Sequence, residues 1–374
     1  MPPVETLQSE ETGRAQSQDG FVVGVDVGGT KVAAGLVDNN GEIRQHTKIP
    51  MSAKGKPAEG LGAVLSAVSA VLDNSDVKTA VSGIGICSPG PLDPKSGVII
   101  NPPNLPCWRN YPLAAEVSRI YRVPVKVDND ANAAAFGENW LGAARNVEDM
   151  AMLTLGTGVG GGIVLGRAIW HGMTGMAGEF GHITVEPEGV QCGCGNRGCL
   201  EQYASATAVV RMAREAIEQH IAPGLSHAAS ANPEFSAKAV YNLAIQGDDE
   251  AKKIFRRVGR ALGIVIADLV NALNLPMYVV GGGVSSAWEA FSPAIFDELK
   301  KRSMVYAATA PPSVAGEEQG ASAQVEPGGP TRTIVTRALL GSDAGLYGAA
   351  RLPMIAAETV SDIHPAGATM RKII

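Results

Sequence analysis

The sequence predicts an α/β fold of more than one domain, and three observations carry that reading. Apolar runs of strand length alternate with segments whose apolar residues have helical spacing. The 374 residues, set against about 150 per domain, leave room for two domains. Two strand openings, residues 21–30 and 151–162, end in glycines and read as two copies of one architectural unit, although no sequence repeat accompanies them.

The ordered chain is expected to begin at Phe21, after a polar, acidic stretch over 1–20 that reads as a disordered tail. FVVGVDVGG followed by KVAAGLVDNNGEI, with turn chemistry at Asn39-Asn40-Gly41, predicts a hairpin or meander. Leu61, Val64, Leu65, Val68 and Leu72 share one helical face, so 59–73 reads as a helix. VSGIGIC at 81–87 is a buried strand, halted by Ser88-Pro89-Gly90-Pro91. A helix over 112–121, a strand over 123–127 and a helix over 131–142 follow. In the second half, residues 151–166 give two strands around a glycine turn. Residues 205–219 and 249–273 read as helices, 277–283 as a buried strand with a glycine exit, and 286–302 as a helix. The stretch 307–330, rich in Ala, Pro, Gly and Glu, reads as a surface insertion. TRTIVTRAL is a last strand and SDAGLYGAARL a last helix.

Composition narrows the function classes. At 45% hydrophobic and 18% charged, the chain has ample core and is too apolar for a disordered protein. A net charge of −6 and the lack of a basic stripe argue against a nucleic-acid partner. The longest uncharged stretch, Leu269 to Trp288, is broken by Asn271, Asn274, Pro276 and Gly281–Gly283, so no membrane span is expected. The first twenty residues have no apolar core, hence no secretory signal is expected. Of five cysteines, three crowd into eight residues, which points to a metal and a reducing, cytoplasmic compartment.

Five segments carry candidate chemistry. Asp26-Val27-Gly28-Gly29-Thr30-Lys31 ends a strand in two glycines that can present N–H groups to an anion, with a hydroxyl and a cation beside them. Asp26 is itself an anion, so beside phosphate it makes sense as an organiser of hydrated Mg²⁺; an ordinary glycine hairpin with an Asp cap is the other reading. Leu155 to Gly162 contains Gly156, Gly158 and Gly161 at G-x-G-x-x-G spacing, with Thr157 and Gly160 between them. A dinucleotide site needs a helix next, and GIVLGRAIW is β-like, so a second phosphate turn is the better reading. No G-x-x-x-x-G-K-[ST] is present. Gly281-Gly282-Gly283, between a strand and a helix, can admit a flat group such as adenine, or can simply be a tight turn.

The fourth segment, Asp128-Asn129-Asp130-Ala131-Asn132, follows a buried strand and precedes a helix. Asp130 there is either the helix N-cap or, at a strand end opening into a cleft, a general base for an alcohol. The fifth is the most specific. Cys192, Cys194 and Cys199, with His182 ten residues upstream, form a Cys₃His set that fills the four positions of a structural Zn²⁺. The metal would pin His182 and its neighbours Glu179 and Glu201, leaving the second ring nitrogen of His182 for a ligand. Cys87 and Cys107 read as packing residues. Asn104, in NPPNLPCW, is a candidate for a selecting contact to a bound ligand or else forms an Asx turn before Pro106.

DVGGTK, DNDANAAA, LGTGVGGGI, GEFGHI and CGCGNRGCLE, in this order, resemble the ROK family (repressors, open reading frames, kinases) over roughly residues 21–352. The resemblance implies the two-domain, actin-like ATPase (ribonuclease H-like) fold with an interdomain cleft. The division expected from it is 21–127, closed by a C-terminal helix over 342–374, and a larger domain over 128–341 carrying the zinc loop 182–199 and the insertion 307–330. It implies Asp130 as catalytic base, with sugar hydroxyls held by Asn129, Asp130, Glu179, His182 and Glu201. Structural zinc would be held by His182, Cys192, Cys194 and Cys199. ATP with Mg²⁺ would sit on the turns at 26–31, 156–161 and 281–284. The activity implied is phosphorylation of glucose or a related hexose at the 6-hydroxyl by a cytoplasmic homodimer. Kinases for N-acetylglucosamine, N-acetylmannosamine or fructose share these motifs. Family repressors carry a winged helix-turn-helix before the kinase-like body, and twenty polar residues before Phe21 are too few for one.

Overall fold

The computed structural model describes residues 20–73, 81–311 and 332–363. The expected tail, apart from Gly20, and most of the expected 307–330 insertion lie outside the described residues. Two five-stranded mixed sheets organise the chain. β1 (Phe21–Val27), β2 (Lys31–Asp38) and β3 (Ile43–Pro50) form the expected meander, and β4 (Val81–Ser88) adds to β1 in parallel. A two-stranded hairpin of β5 (Leu92–Asp93) and β6 (Val98–Ile99) precedes β7 (Val125–Asn129), which pairs parallel to β4. β8 (Met150–Leu155), β9 (Val159–Leu165), β10 (Ala168–Ile169), β11 (Met277–Gly281) and β12 (Ile334–Arg337) repeat this arrangement. The sheet orders β3-β2-β1-β4-β7 and β10-β9-β8-β11-β12 are the same plan used twice. The glycine-ended openings at β1 and β8 occupy the same central place in each.

The helices are α1 (Pro57–Leu72), α2 (Leu113–Tyr121), α3 (Asp130–Trp140), α4 (Glu201–Ala204), α5 (Ala206–Glu218), α6 (Pro223–Ala231), α7 (Ala237–Ile245), α8 (Asp249–Leu273), α9 (Trp288–Arg302), α10 (Met304–Thr309) and α11 (Ala344–Ile363). Alternate residues of the first sheet (Val23, Val25, Ile84, Ile86) bury against Val64 and Val68 of α1 and against Trp108. The second sheet packs Leu153, Tyr278 and Val280 against Phe255, Leu262 and Phe291 of α8 and α9. Its other face meets Ala135 and Phe136 of α3.

Helix α11 lies on the first sheet and against α3, so this helix pair sits between the two sheets. Glycines make that possible. A Cβ on Gly85 would run into the Ala349 carbonyl, and one on Gly348 into the Ala133 carbonyl. Backbone meets backbone at both places, which accounts for part of the 45 glycines.

Three expectations change. β7 ends at Asn129, two residues beyond the predicted 127, because Cys87 and Ser88 of β4 continue to pair with Asp128 and Asn129. Residues 223–231 and 237–245 are helices that the pattern did not announce. Each is nine residues long and buries at most two side chains, too little for a visible stripe. Residues 307–309, predicted as insertion, close α10.

Candidate active site

The junction of β7 and α3 carries the candidate base. Asn129 has extended backbone (φ −68, ψ 146), and its side-chain oxygen accepts from the N–H groups of Ala131 (2.9 Å) and Asn132 (3.3 Å). Asn129 is therefore the N-cap, not Asp130. Asp130 is the first helical residue, and its Oδ1 accepts from the Ala131 N–H at 2.9 Å. Asp130 keeps a solvent-exposed face but is walled by protein on its other sides. Burial raises its carboxyl pKa above the ordinary value; the Ala131 hydrogen bond works against that, and the charge of Asp26 adds to it.

Asp26 is the second-to-last residue of β1, before the turn at Gly28 and Gly29. Gly28 N–H donates to the Lys31 carbonyl at 2.9 Å, and Thr30 and Lys31 stand exposed beyond it. The missing side chain of Gly29 faces the Asn104 carbonyl, which brings Asn104 to this turn. Burial raises the Asp26 pKa, opposed by the hydrogen bond from Cys87 and by the charge of Lys31. Cys87 is thus more than the packing residue expected. Its Sγ lies 3.4 Å from Asp26 Oδ1 and 3.4 Å from the Gly345 carbonyl. Burial, followed by the charges of Asp26 and Asp130, pushes its thiol well above the ordinary value, so it stays a neutral donor between two acids. Gly345, which packs beside Asp26, and Asp343, whose charge reaches it, begin the α11 region. The sequence reading did not connect either to the site, because over three hundred positions separate them from Asp26.

The β8–β9 turn closes with Gly156 N–H donating to the Gly158 carbonyl at 2.9 Å. A strand follows it, which excludes the dinucleotide reading. Gly156 faces open space, with only the Gly158 carbonyl at 4.0 Å from where its Cβ would stand. Gly160 and Gly161 are glycines for packing. Gly160 lies against Ala131 and Thr154, and Gly161 against the Gly178 carbonyl and the Phe180 ring. The two faces of β9 thereby seat the start of α3 and the Glu179-bearing loop on one strand. Thr157 offers its carbonyl to Thr207 Oγ1 at 2.8 Å, and Gly156 its carbonyl to Ala206 N–H at 2.8 Å. In the third turn, Gly281 is buried in β11, and Gly282 (φ 81) presses on Leu155. Gly283 faces open space.

His182, Cys192, Cys194 and Cys199 converge, with all four donor atoms within 4.8 Å of one another. Cys192 Sγ lies 3.7 Å from His182 Nδ1, and Cys194 Sγ lies 3.7 Å from Cys199 Sγ. A tetrahedron with Zn–S about 2.3 Å and Zn–N about 2.0 Å has edges of about 3.5–3.8 Å, so the residues fit zinc. Burial pushes the Cys199 thiol up to about 12, and a bound cation would replace its proton. With Nδ1 turned to the sulfurs, His182 Nε2 faces Glu179 Oε2 at 3.9 Å. The loop is braced from outside: Arg257 of α8 pairs with Glu186 at 3.1 Å and stacks over Tyr203. At its end, Glu201 Oε2 accepts from the Val159 N–H at 3.0 Å.

Two acids and their neighbours, two open glycine turns and a cysteine-histidine cluster thus share one region. The model of the ROK family matches residues 22–353. The chain belongs to the ROK family. Among ROK relatives, it is 38% identical over 336 residues to the glucokinase of Halalkalibacterium halodurans, covering 88% of this chain and 94% of the relative. A ROK family glucokinase from Streptomyces griseus, solved in complex with glucose and AMPPNP, superposes with a TM-score of 0.69 at 35% identity. That match covers 89% of this chain and 99% of the other. The ROK hexokinase from Thermus thermophilus gives a TM-score of 0.71 at 31% identity, covering 91% and 99%. The actin-like ATPase fold expected from the ROK motifs is the fold observed, with its two mixed sheets. No helix among the described residues is long and apolar enough to cross a membrane.

Proposed function

We propose that the protein is a cytoplasmic, homodimeric glucokinase that transfers the terminal phosphoryl group of ATP to the 6-hydroxyl of glucose. The observation that carries this reading is Asp130: a carboxylate of raised basicity at the start of α3, within the charge field of Asp26 at the first glycine turn. The glucokinase relatives and the glucose- and AMPPNP-bound neighbour support the choice of sugar and donor.

Asp130 accepts the proton of the 6-hydroxyl as its oxygen attacks phosphorus, a contribution of about 10²–10⁴-fold. The sugar is held by Asn104, Asn129, Glu179, His182 and Glu201. Asn129 has its oxygen committed to the helix cap, so it would offer its amide N–H groups. The backbone N–H groups of the glycine turns hold the nucleotide phosphates, with Thr30, Lys31 and Thr157 beside them. Mg²⁺, organised by Asp26, supplies neutralisation of phosphate charge when bound. Zinc on His182, Cys192, Cys194 and Cys199 has a structural role. The first sheet, through the end of β7 at Asn129, with α11 forms one lobe and the second sheet with its helices the other, and closure between them excludes water from the transfer.

The test is an ADP-release assay with glucose, mannose, fructose, N-acetylglucosamine and N-acetylmannosamine, using wild type and Asp130→Asn. Glucose should be turned over best and the variant should lose most turnover while sugar binding survives. Preference for an N-acetylhexosamine or fructose would move the assignment to that sugar. Near-normal turnover by Asp130→Asn would remove the base role.

A further inference from the structure

Asp128 and His171 are 43 residues apart in sequence and in direct contact, with His171 Nε2 2.6 Å from Asp128 Oδ2. The Asp128 side chain is 4% exposed and that of His171 33%. A carboxylate this deeply buried needs partners. Its other oxygen accepts from the Asn129 N–H at 2.7 Å and from Asn132 Nδ2 at 3.1 Å. Among the described residues, His171 is its only basic hydrogen-bond partner. Asn132 Oδ1 is buried with no hydrogen-bond partner among the described residues, so the Asn132 amide is held through its Nδ2 on Asp128. One carboxylate therefore fixes the turn that presents Asn129 and Asp130, and His171 fixes the carboxylate.

His171 also roots the loop that delivers Glu179. Its carbonyl accepts from the Ala177 N–H at 3.2 Å, two residues before Glu179. Within that loop Gly175 rests on Pro94, beyond β5. The contact thus joins β7, in the first sheet, to the segment that follows β10, in the second.

We propose that His171 and Asp128 are a positioning pair that sets sugar affinity by holding the Asn129–Asp130 turn in register with the Glu179 loop. The inference rests on the sugar-kinase reading. Neither residue is assigned contact with substrate; each acts through its neighbours. Among the described residues neither side chain hydrogen-bonds to a glycine turn, and the second turn meets the pair only through Gly160 on Ala131 and Gly161 on the Gly178 carbonyl, so ATP affinity should change less than sugar affinity. The groups that act on the His171 charge are Asp128, which favours the protonated ring, and Lys95 on the β5–β6 turn, which opposes it. The hydrogen bond to Asp128 wins, and the His171 pKa lies above its ordinary 6.5. The ion pair is complete below that value and is lost as pH rises through the raised one.

The experiment separates KM from kcat. His171→Phe keeps a ring and loses the donor. It should raise the glucose KM about tenfold and leave the ATP KM within about twofold. His171→Gln can still donate to Asp128. It should recover most of the glucose KM, because a neutral N–H donor is enough to hold the carboxylate. Combined with Asp128→Asn, His171→Phe should add little, as expected of residues acting as a unit. An unchanged glucose KM in His171→Phe, or an equal loss of ATP and glucose affinity, overturns the proposal. A reaction-independent readout is the NMR titration of the His171 ring. It should titrate above 6.5 in wild type and fall in Asp128→Asn, and an unmoved titration overturns the pair. If wild type phosphorylates none of the sugars, the kinase reading fails on that result, and the role in sugar affinity fails with it; the titration still decides whether the pair exists.

Discussion

Glu201 Oε2 accepts the Val159 N–H at 3.0 Å, so the residue that ends the cysteine loop is bonded to the second glycine turn. The Gly158 position faces the same carboxylate. A candidate sugar ligand and a candidate phosphate turn are thereby one mechanical unit, further fastened by Ala206 N–H to Gly156 and Thr207 to Thr157. Glu201→Ala should therefore raise both the sugar and the ATP KM, whereas Glu179→Ala, whose carboxylate faces His182, should raise only the sugar KM. Steady-state kinetics with each substrate varied in turn separate the two. An ATP KM untouched by Glu201→Ala would mean that the turn holds its shape without the bond.

The cysteine loop makes a second prediction. His182 turns Nδ1 to the Cys192 sulfur, where bound zinc would hold it, and Nε2 toward Glu179. Stripping zinc with a chelator, or replacing Cys199 with Ser, should therefore abolish measurable sugar affinity and lower the melting temperature, because His182, Glu179 and Glu201 lose a common anchor. Metal analysis should find one zinc per chain in the intact protein. Retention of sugar binding after complete zinc loss would show that the loop is held by packing, through Arg257, Glu186 and Tyr203, instead of by metal.

The acid side of the pH profile follows from Asp130. As the proposed base, Asp130 would act as the carboxylate, and burial raises its pKa above 3.8. Activity should then fall as pH drops through a value higher than that of an ordinary Asp. The acid limb of kcat/KM reports the free enzyme. Asp26→Asn removes one negative neighbour and should move that limb to lower pH while weakening Mg-dependent turnover. A limb that stays in place would mean that burial alone sets it.

Much of this was legible in the chain. Continuous apolar runs placed most of the central strands, which are buried on both faces, and helical spacing placed the long helices, which bury one stripe. The cysteine spacing identified a cluster whose donor atoms do meet, because C-x-C-x₄-C leaves only a short glycine-rich path to close. Of the two readings of Asp130, cap or base, the cap falls away, because Asn129, one residue earlier, has the extended backbone a cap requires. What sequence could not supply were contacts made by topology. Asp128 meets His171 when β7 comes to the segment after β10, Cys87 meets Asp26 when β4 pairs with β1, and Asp343 reaches Asp26 when α11 lies on the first sheet. The glycines at 160 and 161 looked like ligand positions, and their need for glycine comes from neighbours in space.

Glycine chemistry gives the last prediction, from two helical positions with opposite surroundings. Gly348 in α11 has no room: a Cβ would enter the Ala133 carbonyl of α3, and backbone cannot yield as a flexible side chain could. Gly348→Ala should destabilise by at least about 1–3 kcal/mol, the cost of overpacking a filled interior. It should also disturb turnover, since α3 begins at Asp130. Gly62 in α1 has nothing within 4 Å of the same position. There the added methyl costs no clash and removes backbone freedom from the unfolded chain, so Gly62→Ala should stabilise by about 0.5–1 kcal/mol. Thermal melts of the two variants should shift in opposite directions from wild type, with activity lowered only for Gly348→Ala. If both alanines raised the melting temperature, α3 and α11 would have slack between them, and the backbone contact that seats Asp130 between the sheets would not be rigid.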